Sequence, residues 1–241
     1  MLLKIKHDRE YFYNIKKPHG GMYHTDIMLI GQILNQMKKG FSPIILIVGR
    51  QRGGKSTFGL WLGNKIVKFF HNRPLDPTTN TFYDPLKVVR NLDKIQKQAL
   101  IIDEAAAVIN AKEYYSKLSI MMEKIIATQA IMNLCFIIIS PFSSDIQKSM
   151  RKNIDYLVFV RRRGVAVVKE IPKKYDDLQG HVPKPFTLEQ IKFGTNCISK
   201  ELWKEYEKFS TREKKKIREQ AQLIEQKYAP KDPFGRPILD A

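Results

Sequence analysis

The chain has 241 residues, 43% of them hydrophobic and 27% charged, a composition that excludes a disordered tail or a fibre and is typical of one sizeable folded core. Its 42 lysines and arginines against 24 aspartates and glutamates give a formal net charge of +18, which favours nucleic acid over a membrane surface as a partner; a solubilising surface or an acidic protein partner is the alternative. The sequence predicts no signal peptide and no membrane span, and its two cysteines form neither a metal cluster nor a disulfide framework, so we expect a soluble, cytoplasmic protein.

Residues 1–40 are predicted to form an N-terminal extension that ends in an amphipathic helix. Apolar residues recur at helical spacing over residues 25–40, with Thr25 in position to cap the helix and lysines in its last turn. The β-branched run 43–48 is typical of a strand buried on both faces, and a helix is predicted over residues 55–70.

Strands and helices continue to alternate along the predicted core, residues 41–171. Short apolar or β-branched runs predict three further strands, and helices are predicted between them. The strands are expected at residues 80–83, 99–102 and 134–139 and the helices over residues 85–93 and 118–132. This alternation predicts an α/β fold in which a parallel sheet is covered by helices on both faces.

The last part of the core is predicted to be a short helix that begins near Ser144, followed by a β-hairpin of residues 156–160 and 165–168. Three prolines then indicate a linker over residues 172–186.

The C-terminal segment, residues 187–241, is predicted to be basic and helical, with a loosely ordered tail. Ser199 is in position to cap one helix, and Ser210 with Glu213 has the spacing of a capping box that would begin a second helix.

Between the strand 43–48 and the helix 55–70 lies a phosphate-binding pattern. Gly49, Arg50, Gln51, Arg52, Gly53, Gly54, Lys55 and Ser56 match G-x-x-x-x-G-K-[ST] in full. Glycines allow backbone N–H groups to wrap phosphates, so the pattern predicts a P-loop that binds ATP or a close relative. Lys55 is expected to neutralise the β- and γ-phosphates, Ser56 to bind Mg²⁺, and Thr57 to face the α-phosphate side. A glycine-rich turn without a ligand is the alternative.

Two acidic residues follow the strand 99–102. Asp103 is expected to complete the magnesium site, and Glu104 is expected to orient and deprotonate the attacking water. A plain strand end for Asp103 and helix capping by Glu104 are the alternatives.

The γ-phosphate and the transition state also need polar partners. Ser140 would sense the γ-phosphate if its strand lies between the other two, and Gln129 is a second candidate. The arginine finger, or a DNA contact, is expected among Arg151, Arg161, Arg162 and Arg163, with the finger reaching a neighbouring subunit. Solvated arginines on a basic face are the alternative.

On these residues the chain resembles the ATPases of the additional-strand, catalytic-glutamate group, and within it the FtsK–HerA superfamily of DNA-pumping enzymes, especially the small forms of archaeal viruses and plasmids. The resemblance covers about residues 44–168 and rests on segments 49–56 and 100–105 and on the order of the later elements. Members generally place a glutamine after the strand that corresponds to residues 134–139, and an arginine shortly before it. Here Ser140 and the neighbourhood of Gln129 stand at those places.

The resemblance implies ATP and Mg²⁺ as cofactors, and a homo-oligomeric ring, commonly of six subunits, that translocates or packages double-stranded DNA in the host cytoplasm. An AAA+-like loader or initiator of DNA replication is the second hypothesis. A small-molecule kinase is the third, and it is disfavoured because Glu104 beside Asp103 suits attack by water.

Overall fold

A computed structural model of the protein describes residues 13–83, 96–103, 133–141, 152–172, 185–194 and 196–228, with side chains in the last helix described as far as residue 219. The helices predicted over residues 85–93 and 118–132, the helix near Ser144 and most of the proline-rich stretch lie outside these residues.

The described part of the chain begins with an antiparallel hairpin of β1 (Tyr13–Lys16) and β2 (Met22–Thr25), followed by helix α1 (Met28–Lys38). The predicted start of this helix at Thr25 is wrong. Thr25 closes β2 instead, and its Oγ1 accepts a hydrogen bond from the backbone N–H of Ile27 at 3.1 Å.

A sheet of seven strands forms the centre of the molecule, in the order β4-β5-β6-β3-β7-β8-β9. The first five strands in this order are parallel to one another, and β8 and β9 are antiparallel additions at one edge. The strands are β3 (Ile44–Gly49), β4 (Thr81–Phe82), β5 (Ala99–Ile102), β6 (Cys135–Ile139), β7 (Tyr156–Arg162), β8 (Val165–Glu170) and β9 (Phe186–Lys192). The expected α/β fold with a largely parallel sheet is confirmed.

The three strands β3, β5 and β6 are buried along their whole length, as expected for runs of β-branched and other apolar residues in a parallel sheet. Helix α2 (Lys55–His71) follows β3 and contacts all three strands. Its Gly59 allows close packing, because a Cβ there would lie 2.9 Å from the side chain of Ile139. The start of α2 is thereby fixed over the carboxyl ends of the central strands.

A short helix, α3 (Pro77–Asn80), occupies the start of the region where a strand was predicted, and β4 is only two residues long. Asp76 caps α3, since its carboxylate accepts a hydrogen bond from the N–H of Thr78 at 2.8 Å. Because α3 includes residue 80, the strand predicted over residues 80–83 is reduced to the two residues of β4.

The C-terminal part differs from the prediction in two ways. Residues 186–192 form β9 on the free edge of β8, so the expected helical segment begins only at α4 (Lys200–Tyr228). Ser199 caps α4 as predicted, with its Oγ accepting from the N–H of Leu202 at 3.2 Å. The second helix start at Ser210 is wrong, because no glycine or proline interrupts residues 200–228 and α4 runs through as one helix.

Within the part of the chain that the structure describes, none of the helices combines the length and the apolar character needed to cross a bilayer.

Candidate functional site

The turn between β3 and α2 has a backbone that requires glycine at two places. Gly49 has φ +149°, and a Cβ there would lie 2.5 Å from the carbonyl oxygen of Val160 on β7. Gly54, the residue before α2, has φ +98°. Arg52 takes a left-handed conformation without being glycine, with φ +58°. The chain therefore curls at the carboxyl end of β3 and enters α2 directly.

Lys55 is the first residue of α2, and its side chain returns to this turn. Its Nζ donates hydrogen bonds to the carbonyl oxygens of Gly49, at 2.7 Å, and Arg50, at 3.1 Å. The 17-residue helix α2 has no side-chain cap at Gly54. Such a helix N-terminus presents backbone N–H groups and the positive end of the helix dipole to an anion. A cation and a helix N-terminus thus meet at one place.

Asp103 directly follows β5 and lies beside the start of α2. It is buried, and its Oδ2 accepts a hydrogen bond from Oγ of Ser56 at 3.2 Å. The N–H of Asp103 donates to the carbonyl oxygen of Phe82 at 3.0 Å, which extends the pairing of β4 and β5 to the end of the strand. Hydroxyl and carboxylate oxygens are ligands that Mg²⁺ takes, directly or through its water shell, so this pair fits a magnesium site.

Tyr206, on α4, is a further partner of Asp103 that the sequence analysis missed. Its hydroxyl donates to Oδ2 of Asp103, the same oxygen that Ser56 contacts. Burial raises the pKa of Tyr206, and the negative charge of Asp103 raises it further, so the hydroxyl keeps its proton at neutral pH. The available signal was the spacing of Leu202 and Tyr206, both buried on one face of α4, but this spacing indicates packing and not a partner.

A cavity of about 530 Å³ opens at the turn. Its lining includes five of the predicted nucleotide-binding residues, namely Arg52, Gly54, Lys55, Ser56 and Thr57. Residues from later elements complete the lining: Arg163 and Gly164 between β7 and β8, Phe193 and Gly194 after β9, Ile198 before α4, and Trp203 and Glu207 in the first two turns of α4.

Ser140 is fully buried at the carboxyl end of β6, and β6 lies between β3 and β5. Its N–H donates to the carbonyl oxygen of Ile47 at 2.9 Å. Ser140 was expected to sense the γ-phosphate only if its strand lay between the strand before the P-loop and the strand before Asp103. Strand β6 has that position, between β3 and β5.

The remaining predicted residues are distributed as follows. Arg50 and Gln51 are exposed in the turn, and Arg161 and Arg162 are exposed at the end of β7. Arg163 lies at the cavity of its own chain, where its Nε donates to the carbonyl oxygen of Arg52 at 3.3 Å. The other candidates lie outside the described residues: Glu104, Gln129 and Arg151.

A comparison with models of known protein families finds no match, and a comparison with curated protein sequences finds no significant similarity. What the cavity can bind is therefore inferred from the side chains and backbone groups that form it. The ammonium of Lys55, the N-terminus of α2 and the hydroxyl of Ser56 lie at its wall, and the carboxylate of Asp103 contacts that hydroxyl; together these groups suit an anion accompanied by a divalent cation.

Proposed function

We propose that the protein is a P-loop ATPase that binds ATP and Mg²⁺ in this cavity. The contact between Ser56 Oγ and Asp103 Oδ2, at 3.2 Å, is the observation that carries the proposal. In P-loop enzymes the serine or threonine of the loop and an aspartate at the end of a second strand hold the metal together. Two residues that lie 47 positions apart meet here in that arrangement.

The strand order adds a second line of support. β6 separates β3 from β5, as the resemblance to the additional-strand group implies, and it brings Ser140 to the same edge of the sheet as the P-loop. The carboxyl ends of parallel strands are where α/β proteins bind ligands. The P-loop, Asp103 and Ser140 share that edge.

The proposal gives each of these site residues a role. With Mg·ATP bound, Lys55 would donate to phosphate oxygens in place of the carbonyl oxygens of Gly49 and Arg50, and Ser56 would hold the metal together with Asp103. Mg²⁺ supplies charge neutralisation at the phosphates. Tyr206 keeps its hydrogen bond to Asp103 and holds the carboxylate in place. Glu104, next in the chain, deprotonates the attacking water.

We further propose that hydrolysis drives movement or packaging of double-stranded DNA by a cytoplasmic homo-oligomeric ring. The net charge of +18 supports a polyanionic partner, and Arg161 and Arg162 are exposed at the end of β7. An ATP-dependent replication loader shares these features, and directional displacement of duplex DNA distinguishes the motor from it.

The test of the ATPase uses three variants of the purified protein. Lys55→Ala should lose ATP binding, because it removes the phosphate-binding cation, whereas Glu104→Gln should keep binding and lose turnover by about a hundredfold or more. Lys65→Ala, a half-buried lysine of the same helix, is the matched control and should behave as the wild type. Binding is measured by calorimetry and turnover by phosphate release.

Unchanged phosphate release by Lys55→Ala would overturn the ATPase proposal. Phosphate transfer to a small acceptor without release to water would favour the kinase.

A further inference from the structure

The lining of the cavity extends beyond the residues that could contact a triphosphate. Besides the P-loop groups, its lining includes the apolar side chains of Phe193, Ile198 and Trp203. These residues offer no charge to a phosphate, and aromatic faces are the groups on which nucleobases stack. The volume of about 530 Å³ lies within the range of small-molecule and cofactor sites.

Phe193 is fixed directly against the P-loop. Its ring atoms lie 3.6 Å from the place that a Cβ of Gly54 would occupy, and the ring meets that of Phe58 edge to face with centroids 5.2 Å apart. Its N–H donates to the carbonyl oxygen of Gly164 at 2.8 Å. This part of the apolar wall is therefore continuous with the phosphate-binding turn, and one ligand can touch both.

Trp203 is the wall residue that a flat ring can reach. It is only half-buried, and its indole packs against the ring of Tyr206 with centroids 5.4 Å apart. Tyr206 is in turn hydrogen-bonded to Asp103. The contact that holds Asp103 thus also fixes the helix turn that presents Trp203 to the cavity.

We propose that Trp203, with Phe193 and Ile198, forms the binding site for the base and ribose of the nucleotide. This proposal rests on the ATPase function proposed above. Glu207, one turn after Trp203 and also at the cavity, supplies a carboxylate that accepts hydrogen bonds from hydroxyl or amino groups of the nucleoside. The site therefore binds a nucleoside triphosphate more tightly than inorganic polyphosphate.

The two tryptophans of the chain, Trp61 and Trp203, make a direct test possible. Trp61 is 6% exposed in α2 and is not part of the cavity lining. In Trp61→Phe, Trp203 is the single emitter, and Mg·ATP should quench its fluorescence because the base stacks on the indole. Magnesium tripolyphosphate should displace ATP yet leave the fluorescence unquenched, because it has no base.

Calorimetry on Trp203→Ala, which removes the aromatic face, gives the second readout. ATP affinity should fall by about tenfold, as expected from the loss of one base-stacking partner, while tripolyphosphate affinity changes less than about twofold. Trp61→Phe is the matched control and should bind ATP as tightly as the wild type.

The outcomes separate the two proposals. If ATP binds without changing the emission of Trp61→Phe, and Trp203→Ala binds ATP normally, the base lies elsewhere and the ATPase proposal stands. If neither ATP nor tripolyphosphate binds the wild type, both proposals are overturned.

Discussion

A single carboxylate oxygen, Oδ2 of Asp103, accepts hydrogen bonds from both Ser56 and Tyr206. Ser56 belongs to α2 and Tyr206 to α4, so residues of two helices donate hydrogen bonds to the same oxygen atom. Hydrogen bonds from these two donors restrict the orientation of the buried carboxylate. In the proposed mechanism Ser56 would hold the metal, and the hydrogen bond from Tyr206 would preserve the orientation of Asp103.

We predict that Tyr206→Phe lowers ATP turnover by about tenfold while ATP affinity changes less than about twofold. The substitution removes the donor to Asp103 and keeps the ring that packs against Trp203. A hydrogen bond to a charged group contributes about 1.5–3 kcal/mol, which corresponds to a tenfold or larger effect. Steady-state phosphate release and calorimetry measure the two quantities, and the magnesium concentration needed for half-maximal turnover should rise.

Tyr156→Phe is the control for this prediction. Tyr156 is a similarly buried tyrosine whose hydroxyl accepts a hydrogen bond from Nε2 of Gln36 at 2.9 Å, on β7 and away from the cavity lining. It should change stability and leave turnover unchanged. Equal losses of turnover in both variants would mean that Tyr206 acts only through packing.

At this scale the sequence predicts the local part of the site and misses the distant part. The glycines of the turn, Lys55 and Ser56 are encoded in eight consecutive residues, and Asp103 is marked by the apolar strand before it. Tyr206 lies 103 residues beyond Asp103 and carries no motif. Its role depends on how α4 packs, which periodicity alone cannot give.

Among the secondary-structure elements, α1 shows a long-range form of capping. Its N-cap residue, Ile27, has no side-chain acceptor, and Glu189 of β9 takes that role. The two carboxylate oxygens of Glu189 accept from the N–H groups of Met28, at 3.2 Å, and Leu29, at 2.6 Å. Burial raises the pKa of Glu189, and these two hydrogen bonds oppose that effect.

We predict that Glu189→Ala lowers the free energy of unfolding by about 1–2 kcal/mol, because it leaves two first-turn N–H groups of α1 without their acceptor. Urea denaturation followed by circular dichroism measures the change. Glu205→Ala, an exposed glutamate of α4, is the control and should cost less than about 0.5 kcal/mol. A loss no larger than that of the control would show that solvent replaces the cap.

This cap also explains why the start of α1 was misplaced. Thr25 is a good capping residue by type, but the acceptor that decides the boundary comes from 160 residues away. Likewise, the Ser210 and Glu213 pattern predicts a helix start only where a preceding helix has ended. Both residues are buried within α4 instead, and Glu213 forms an ion pair with Lys216 at 2.8 Å.

On the scale of the whole molecule, the alternation of strands and helices predicts a parallel sheet, and the sheet has that character. The alternation by itself does not give the order of the strands, because adjacency depends on which crossovers pack together. β9 was missed for a related reason. Its alternation of buried and exposed residues is weak, and it becomes a strand by pairing with the edge of β8.

The charge of the molecule leads to a prediction about its partner. We expect duplex DNA to bind at 50 mM salt and to bind at least tenfold more weakly at 200 mM, because neutralised phosphates release counterions. Fluorescence anisotropy over a salt series measures the slope. Replacing both Arg161 and Arg162 by alanine should reduce the slope by about two if these exposed residues touch phosphates.

Lys38→Ala with Lys39→Ala removes the same charge from another exposed site and should leave the slope unchanged. No binding at 50 mM salt, or binding that ignores salt, would exclude DNA as the partner.

The wall formed by Phe193, Ile198, Trp203 and Glu207 has a consequence for biosynthesis. The ribosome makes the P-loop early, and this wall, with Tyr206, comes about 140–150 residues later. A nascent chain that has folded only its central sheet therefore has the turn between β3 and α2 without a completed cavity. The order of translation therefore delays completion of the proposed nucleotide site until α4 has emerged and docked.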